Sequence, residues 1–161
     1  MKLEDLFNLY KGDARVTELS RDVMAQPGIK LQTANMPGAL ASLTCASVYG
    51  NTETPQFIVL NDKEEAAYFL NDIEKLISDQ IVFFYPGSYR RPYEIEGTNN
   101  ANVLLRAEVL NRINSRKKPP IIVTYPEALF ERVITRKQLQ ENTLKISEGD
   151  SLGIDFLNET L

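Results

Sequence analysis

Three short runs of uninterrupted apolar residues, Phe57-Ile58-Val59-Leu60, Ile81-Val82-Phe83-Phe84 and Ile121-Ile122-Val123-Thr124, constrain this chain more than any other feature. A strand that shows water one face alternates apolar with polar residues. A continuous apolar run of four residues suits a strand buried on both faces of a parallel sheet. The stretches between the runs are long enough for crossover helices. Between the first two, Ala66, Phe69, Leu70, Ile73, Leu76 and Ile77 fall on one helical face, after a start at Asn61 with Glu64 in capping-box spacing. Between the second and third, Val103, Leu104, Ala107, Leu110 and Ile113 mark another helix, closed by the basic run Arg116-Lys117-Lys118 and the breaker Pro119-Pro120. Pro126 suits the first turn of a further helix from Glu127 to Val133. Strand and helix in alternation predict an α/β fold with a doubly wound parallel sheet, whose ligands, if any, bind at the carboxyl ends of the strands.

The flanks are less regular. Leu3, Leu6, Phe7 and Tyr10 predict a short helix stopped at Gly12. Val16, Leu19 and Val23 predict a second that ends at Pro27-Gly28, and both read as a peripheral layer on the main domain. Ile29-Lys30-Leu31 reads as a weak additional strand, followed by the Pro37-Gly38 turn and a helix from Ala39 to Tyr49. After residue 134 the pattern changes. Thr135-Arg136-Lys137-Gln138 opens a short helix, Thr143-Leu144-Lys145-Ile146 reads as a strand, and Ile154, Phe156, Leu157 and Leu161 start an apolar pattern without a stop signal. The expected division is residues 1–28 as a helical extension, 29–134 as the main domain and 135–161 as the beginning of a second α/β domain that continues further.

Composition removes whole classes of chemistry. The chain of 161 residues has no histidine and one cysteine, Cys45. Ser-His-Asp and Cys-His nucleophilic machinery and histidine acid–base chemistry are therefore absent, as are disulfides within the chain and multi-cysteine zinc sites. Acidic residues outnumber basic ones, 22 to 18, which gives no electrostatic support for a domain dominated by phosphate contacts. No apolar run of membrane-spanning length and no signal-peptide core is present, so the chain is read as soluble and cytoplasmic, with no membrane partner.

The turn Asn35-Met36-Pro37-Gly38-Ala39-Leu40-Ala41-Ser42 lies where a phosphate-binding loop would join a first strand to a first helix. Such a loop needs glycines that free its N–H groups, a lysine for the β- and γ-phosphates, and a Ser or Thr for magnesium. Here Gly38 is left as a turn glycine, Ala41 stands in the lysine slot and Ser42 in the hydroxyl slot. Pro37 removes a donor besides. The plainer reading is a Pro-Gly bend before an ordinary helix, and on either reading no cofactor and no ATP hydrolysis are expected of this chain.

Leu60-Asn61-Asp62-Lys63-Glu64-Glu65-Ala66 is similar to motif Ia of superfamily 2 helicases, and Val123-Thr124-Tyr125-Pro126-Glu127-Ala128-Leu129 to their motif Ib. Between them lie Phe83-Phe84-Tyr85-Pro86-Gly87-Ser88-Tyr89-Arg90-Arg91-Pro92-Tyr93-Glu94 and Asn100-Ala101-Asn102-Val103-Leu104-Leu105-Arg106. In this order, over residues 29–161, the segments resemble the N-terminal UvrB-homology region of the bacterial transcription-repair coupling factor family. The resemblance implies a RecA-like domain with a degenerate phosphate loop. It also implies no UvrB-type clamping hairpin, since too few residues separate Tyr93 from the next helix. The domain after it would bind UvrA, and ATP-driven translocation on double-stranded DNA beside RNA polymerase would reside in distant domains on which this module packs. The UvrA contact segment of the family lies beyond Leu161, so no contact residue is carried over. In helicases of this kind, motifs Ia and Ib line the nucleic-acid strand. The alternatives are an active superfamily 2 lobe such as that of UvrB, against which Ala41 argues, and a free-standing interaction domain.

Tyr89, Arg90, Arg91 and Tyr93 are the candidate nucleic-acid or interdomain contacts, cations among aromatic rings at a strand end. The plainer reading, arginines lying across tyrosine faces or paired with Glu94 and Glu96, is favoured because the net charge is negative. Arg116, Lys117 and Lys118 suit a helix carboxyl end, and Asp62, Glu64 and Glu65 a helix amino end, through the dipole alone. Cys45 reads as a small buried residue.

Overall fold

The computed structural model describes residues 2–25, 27–77, 80–88, 99–115, 118–133, 135 and 137–138. Three strands, β1 (Gln56–Val59), β2 (Val82–Tyr85) and β3 (Ile121–Thr124), form a parallel sheet in the order β1-β3-β2. β3 is central and buried at every position, as its unbroken apolar sequence requires. Phe57, Ile122 and Phe83 stand in register, as do Val59, Thr124 and Tyr85. Alternation places these six on one face of the sheet and Gln56, Ile58, Ile121, Val123, Val82 and Phe84 on the other.

Helix α4 (Lys63–Glu74) connects β1 to β2, and α5 (Asn100–Ile113) returns from β2 to β3. The two connections run in opposite directions across the sheet, so crossovers of one hand put their helices on opposite faces. α5 covers the Phe83/Tyr85 face, where the Arg106 guanidinium lies 4.1 Å from the Tyr85 ring centre and that of Arg112 5.5 Å from Phe83. The other face is covered by α4 and by α3 (Leu40–Thr52), which receives a hydrogen bond from Gln56 Nε2 to Cys45 O at 2.9 Å. Ala66, Phe69 and Ile73 of α4 are buried, and Leu70, Leu76 and Ile77 pack at the margin of the core, which is the face the spacing predicts. The cap is one residue later than the sequence suggests. Asp62, not Asn61, accepts the Glu65 N–H at 2.8 Å, and the Glu65 carboxylate returns to Asn61 N at 3.0 Å.

α1 (Leu3–Lys11) and α2 (Ala14–Ala25) pack on the outer side of α3, with Val16 and Ser20 buried, whereas Val23 is exposed. α3 is thus enclosed by helices and sheet, which its composition of small and apolar residues permits. Three of its hydroxyls are turned onto nearby carbonyls, Ser42 to Ala39, Thr44 to Leu40 and Thr52 to Val48.

Four expectations need correction. Residues 29–31 form no strand. Their backbone bonds to no described strand, and Ile29 and Leu31 are exposed. α6 (Pro126–Phe130) begins at its proline but ends before Val133, because Glu131 turns to extended backbone with ψ 140°. α5 ends at Ile113 with Asn114 as its cap rather than in the basic run, of which Arg116 and Lys117 lie outside the described residues. α5 also turns a different face inward. Arg106 and Val109 are buried, while Val103, Leu104 and Ile113 of the predicted stripe are exposed. The expected second domain falls almost wholly outside the described residues, including Thr143–Ile146 and 154–161. At its start Thr135 and Gln138 exchange capping-box bonds, at 3.1 Å and 3.3 Å.

Candidate functional site at the carboxyl end of the sheet

The turn before α3 does not have the setting of a phosphate loop, since no strand leads into it. Gly38 is left-handed with φ 57°, which a glycine adopts without strain, and Asn35 shares that conformation. Ala39 caps α3 without a side-chain bond, and Ala41 is half-buried. Ser42 is fully buried, and its hydroxyl donates to Ala39 O at 2.9 Å. The reading of this segment as rightly placed in the fold for a nucleotide is corrected accordingly. The missing lysine and the committed hydroxyl point the same way.

The best-built polar cluster lies at the carboxyl ends of β2 and β3. Its members come from four elements. Pro86, Gly87 and Ser88 leave β2, Asn102 and Arg106 come from the first half of α5, Tyr125 follows β3, and Glu131 follows α6. Arg106 Nη1 donates to Pro86 O at 2.8 Å and Ala128 O at 3.0 Å, and lies 3.4 Å from Glu131 Oε2. The Glu131 carboxylate accepts the Ser88 N–H at 2.8 Å and the Ser88 hydroxyl at 2.6 Å. Tyr125 OH accepts the Gly87 N–H at 2.9 Å, and Asn102 Nδ2 donates to Gly87 O at 2.7 Å. A Cβ on residue 87 would stand 3.0 Å from Glu131 Oε1, so glycine lets the carboxylate approach this closely. Asn99 N donates to Ser88 O at 2.7 Å, and this bond ties the point where the chain leaves β2 to the point where it enters α5.

The chemistry of this cluster is that of a clamp. Its donors and acceptors face one another, and burial pushes the Tyr85 phenol above its ordinary value, Arg106 opposing and Glu131 adding to the effect. Cys45, on α3, is pushed by burial up to about 11, so its thiol is inert at neutral pH. Among the described residues no group of three or more Asp, Glu, His or Cys side chains is placed to hold a metal ion, and no helix is long and apolar enough to cross a membrane.

Tyr89, Arg90, Arg91 and Tyr93 lie outside the described residues, within the segment that the Ser88–Asn99 bond closes at its base. The motif Ia-like and Ib-like segments do come together. β1 and β3 are neighbours, Leu60 N donates to Thr124 O at 3.0 Å, and α4 and α6 start from the same edge. Phe130, at the end of α6, is 89% exposed on this side of the molecule. Sequence reasoning missed the Arg106–Glu131–Ser88 cluster. The available signal was an arginine inside a helix at the spacing of Asn102 and Val109, on what proved to be the buried stripe. Comparison of the chain with known protein families, curated proteins and solved structures finds no match.

Proposed function

We propose that this chain is a non-catalytic α/β binding module, the RecA-like N-terminal region of a transcription-repair coupling factor. In this reading it supports recruitment of UvrA in nucleotide excision repair and packs against ATP-driven DNA translocase domains located elsewhere in the protein. The observation that carries the reading is the side-by-side exit of the motif Ia-like and Ib-like segments at one carboxyl edge, joined by the 3.0 Å bond from Leu60 N to Thr124 O. Parallel α/β sheets use that edge for ligands. The turn at residues 35–42 supports the non-catalytic half, since no strand leads into it and the Ser42 hydroxyl is bonded to Ala39 O.

Two measurements test it. Calorimetry with Mg·ATP is expected to give no heat of binding, and micromolar affinity would overturn the non-catalytic reading. Purified UvrA is expected to be retained by a version of the protein extended through the domain that begins near residue 135, and more weakly or not at all by residues 1–161. If neither retains it, the assignment to repair fails.

A further inference from the structure

β2 is an edge strand among the described residues, and its outer side lines a groove of about 270 Å³. The Ile121 N–H donates to Ile81 O at 2.8 Å, so residues 81, 83 and 85 turn their backbone groups toward β3. By alternation, the N–H and C=O of Val82 and Phe84 face outward into the groove. Its walls come from the two crossover helices, Leu70 and Glu74 from α4 on one side and Leu105 and Glu108 from α5 on the other. Each wall therefore offers one leucine and one carboxylate. Among the described residues neither carboxylate has an ion-pair partner, and the cation one turn beyond Glu108 is engaged elsewhere. The Arg112 guanidinium lies over Phe83 and donates to Lys118 O at 2.9 Å.

We infer that this groove binds an extended peptide segment of a partner protein, which adds as a strand to β2 and carries Lys or Arg and aliphatic residues in successive pairs, so that each of its faces presents both. The outward amides at 82 and 84 supply main-chain pairing, as in recognition by strand addition. Side chains of an added strand point alternately to the two walls. Each wall provides an apolar surface for an aliphatic group and a free carboxylate for a cation. The net charge of −4 favours the approach of a basic segment in the same sense. The inference does not rest on the repair reading, because it uses the groove's own main-chain groups and carboxylates and not the motif Ia-like and Ib-like segments at the carboxyl edge.

The test uses a fluorescent, end-capped octapeptide that repeats Lys-Lys-Val-Val, so that lysine and valine both face each wall. It is compared with a glutamate–valine octapeptide and with a lysine–valine octapeptide N-methylated at alternate residues. The lysine peptide is expected to bind saturably below about 1 mM, to shift the Val82 and Phe84 amide resonances, and to weaken as salt rises. The glutamate and N-methylated peptides are expected to lose this binding. Glu74→Lys with Glu108→Lys, both at exposed positions, should weaken the lysine peptide about tenfold while the far-UV circular dichroism stays unchanged. Equal binding of the lysine and glutamate peptides, undiminished binding of the N-methylated one, or no binding at all would overturn the inference. So would self-association of the chain in sedimentation that perturbs the same two amides, since the edge would then be occupied by a second copy.

Discussion

Arg106 sits in the middle of α5, where an apolar residue would be expected to face the sheet, yet it is only 7% exposed. A buried guanidinium is tolerated only when its donors are satisfied and its charge is balanced. Distances indicate which partner matters most. The bonds to Pro86 O and Ala128 O, at 2.8 Å and 3.0 Å, are shorter than the 3.4 Å approach to Glu131. The carbonyls therefore fix the side chain, while Glu131 balances its charge and spends its own lone pairs on Ser88. Glu131→Gln keeps the shape but leaves the cation uncompensated, and it is expected to cost about 3 kcal/mol in urea unfolding. Arg106→Met strands two carbonyls and the Glu131 carboxylate, and should cost a similar amount. Because each change removes the other's partner, the double variant should cost less than the two single values together. Additivity to within about 0.5 kcal/mol would show that the two side chains do not act as a unit.

At the scale of elements, local sequence and environment agree in some places and conflict in others. The amino end of α4 is specified by Asp62 and Glu65, two side chains that satisfy N–H groups at the start of the helix. Asp62→Ala is expected to lower stability by about 1 kcal/mol by thermal melting. Asn61→Ala should cost clearly less, since its backbone N–H keeps Glu65 as acceptor, and equal losses would place the cap at Asn61 after all. The three strands and the core face of α4 were legible because apolar runs and helical spacing report burial directly. The inward face of α5 was not. The eye follows Val103, Leu104 and Ile113, and nothing local announces that Arg106 will find two carbonyls and a carboxylate supplied from positions 86, 128 and 131. Ile29-Lys30-Leu31 failed for the opposite reason. Its residues suit a strand, but a strand needs a neighbour, and no short-range pattern supplies one. The candidate site was half legible, through the strand-end segments at residues 60–66 and 123–129. The clamp that connects strand ends was not, because its members are joined only by tertiary structure.

At the scale of the whole molecule, the described residues form a small sheet with unequal cover. α3 and α4 close one face, while on the other α5 lies over β2 and leaves Phe57 and Val59 of β1 at 55% and 47% exposure. The closed face, with the clamp beside it, gathers several groups that lose a proton in alkali. Burial pushes the Cys45 thiol from an ordinary 9.0 up to about 11. Burial also raises the phenols of Tyr49 and Tyr85, the former with help from Glu53 against Arg112. The sign of the effect on stability is the same for all three. The folded chain holds a proton that the unfolded chain releases more readily, so the unfolded state gains as pH rises. Stability from Cys45 is present in full below pH 9.0 and lost as pH climbs to about 11. The tyrosines add their loss above their ordinary 10.0. Unfolding free energies from urea titrations should therefore fall across this window, and Cys45→Ala should flatten the first part of the decline while leaving the later, tyrosine part. At neutral pH the native thiol should react with a disulfide reagent far more slowly than the urea-unfolded chain. Parallel pH profiles for the parent and Cys45→Ala would mean that the thiol is not held neutral by the core. The enclosure of α3 between helices and sheet would then be looser than its buried Ala46 and Ser47 indicate.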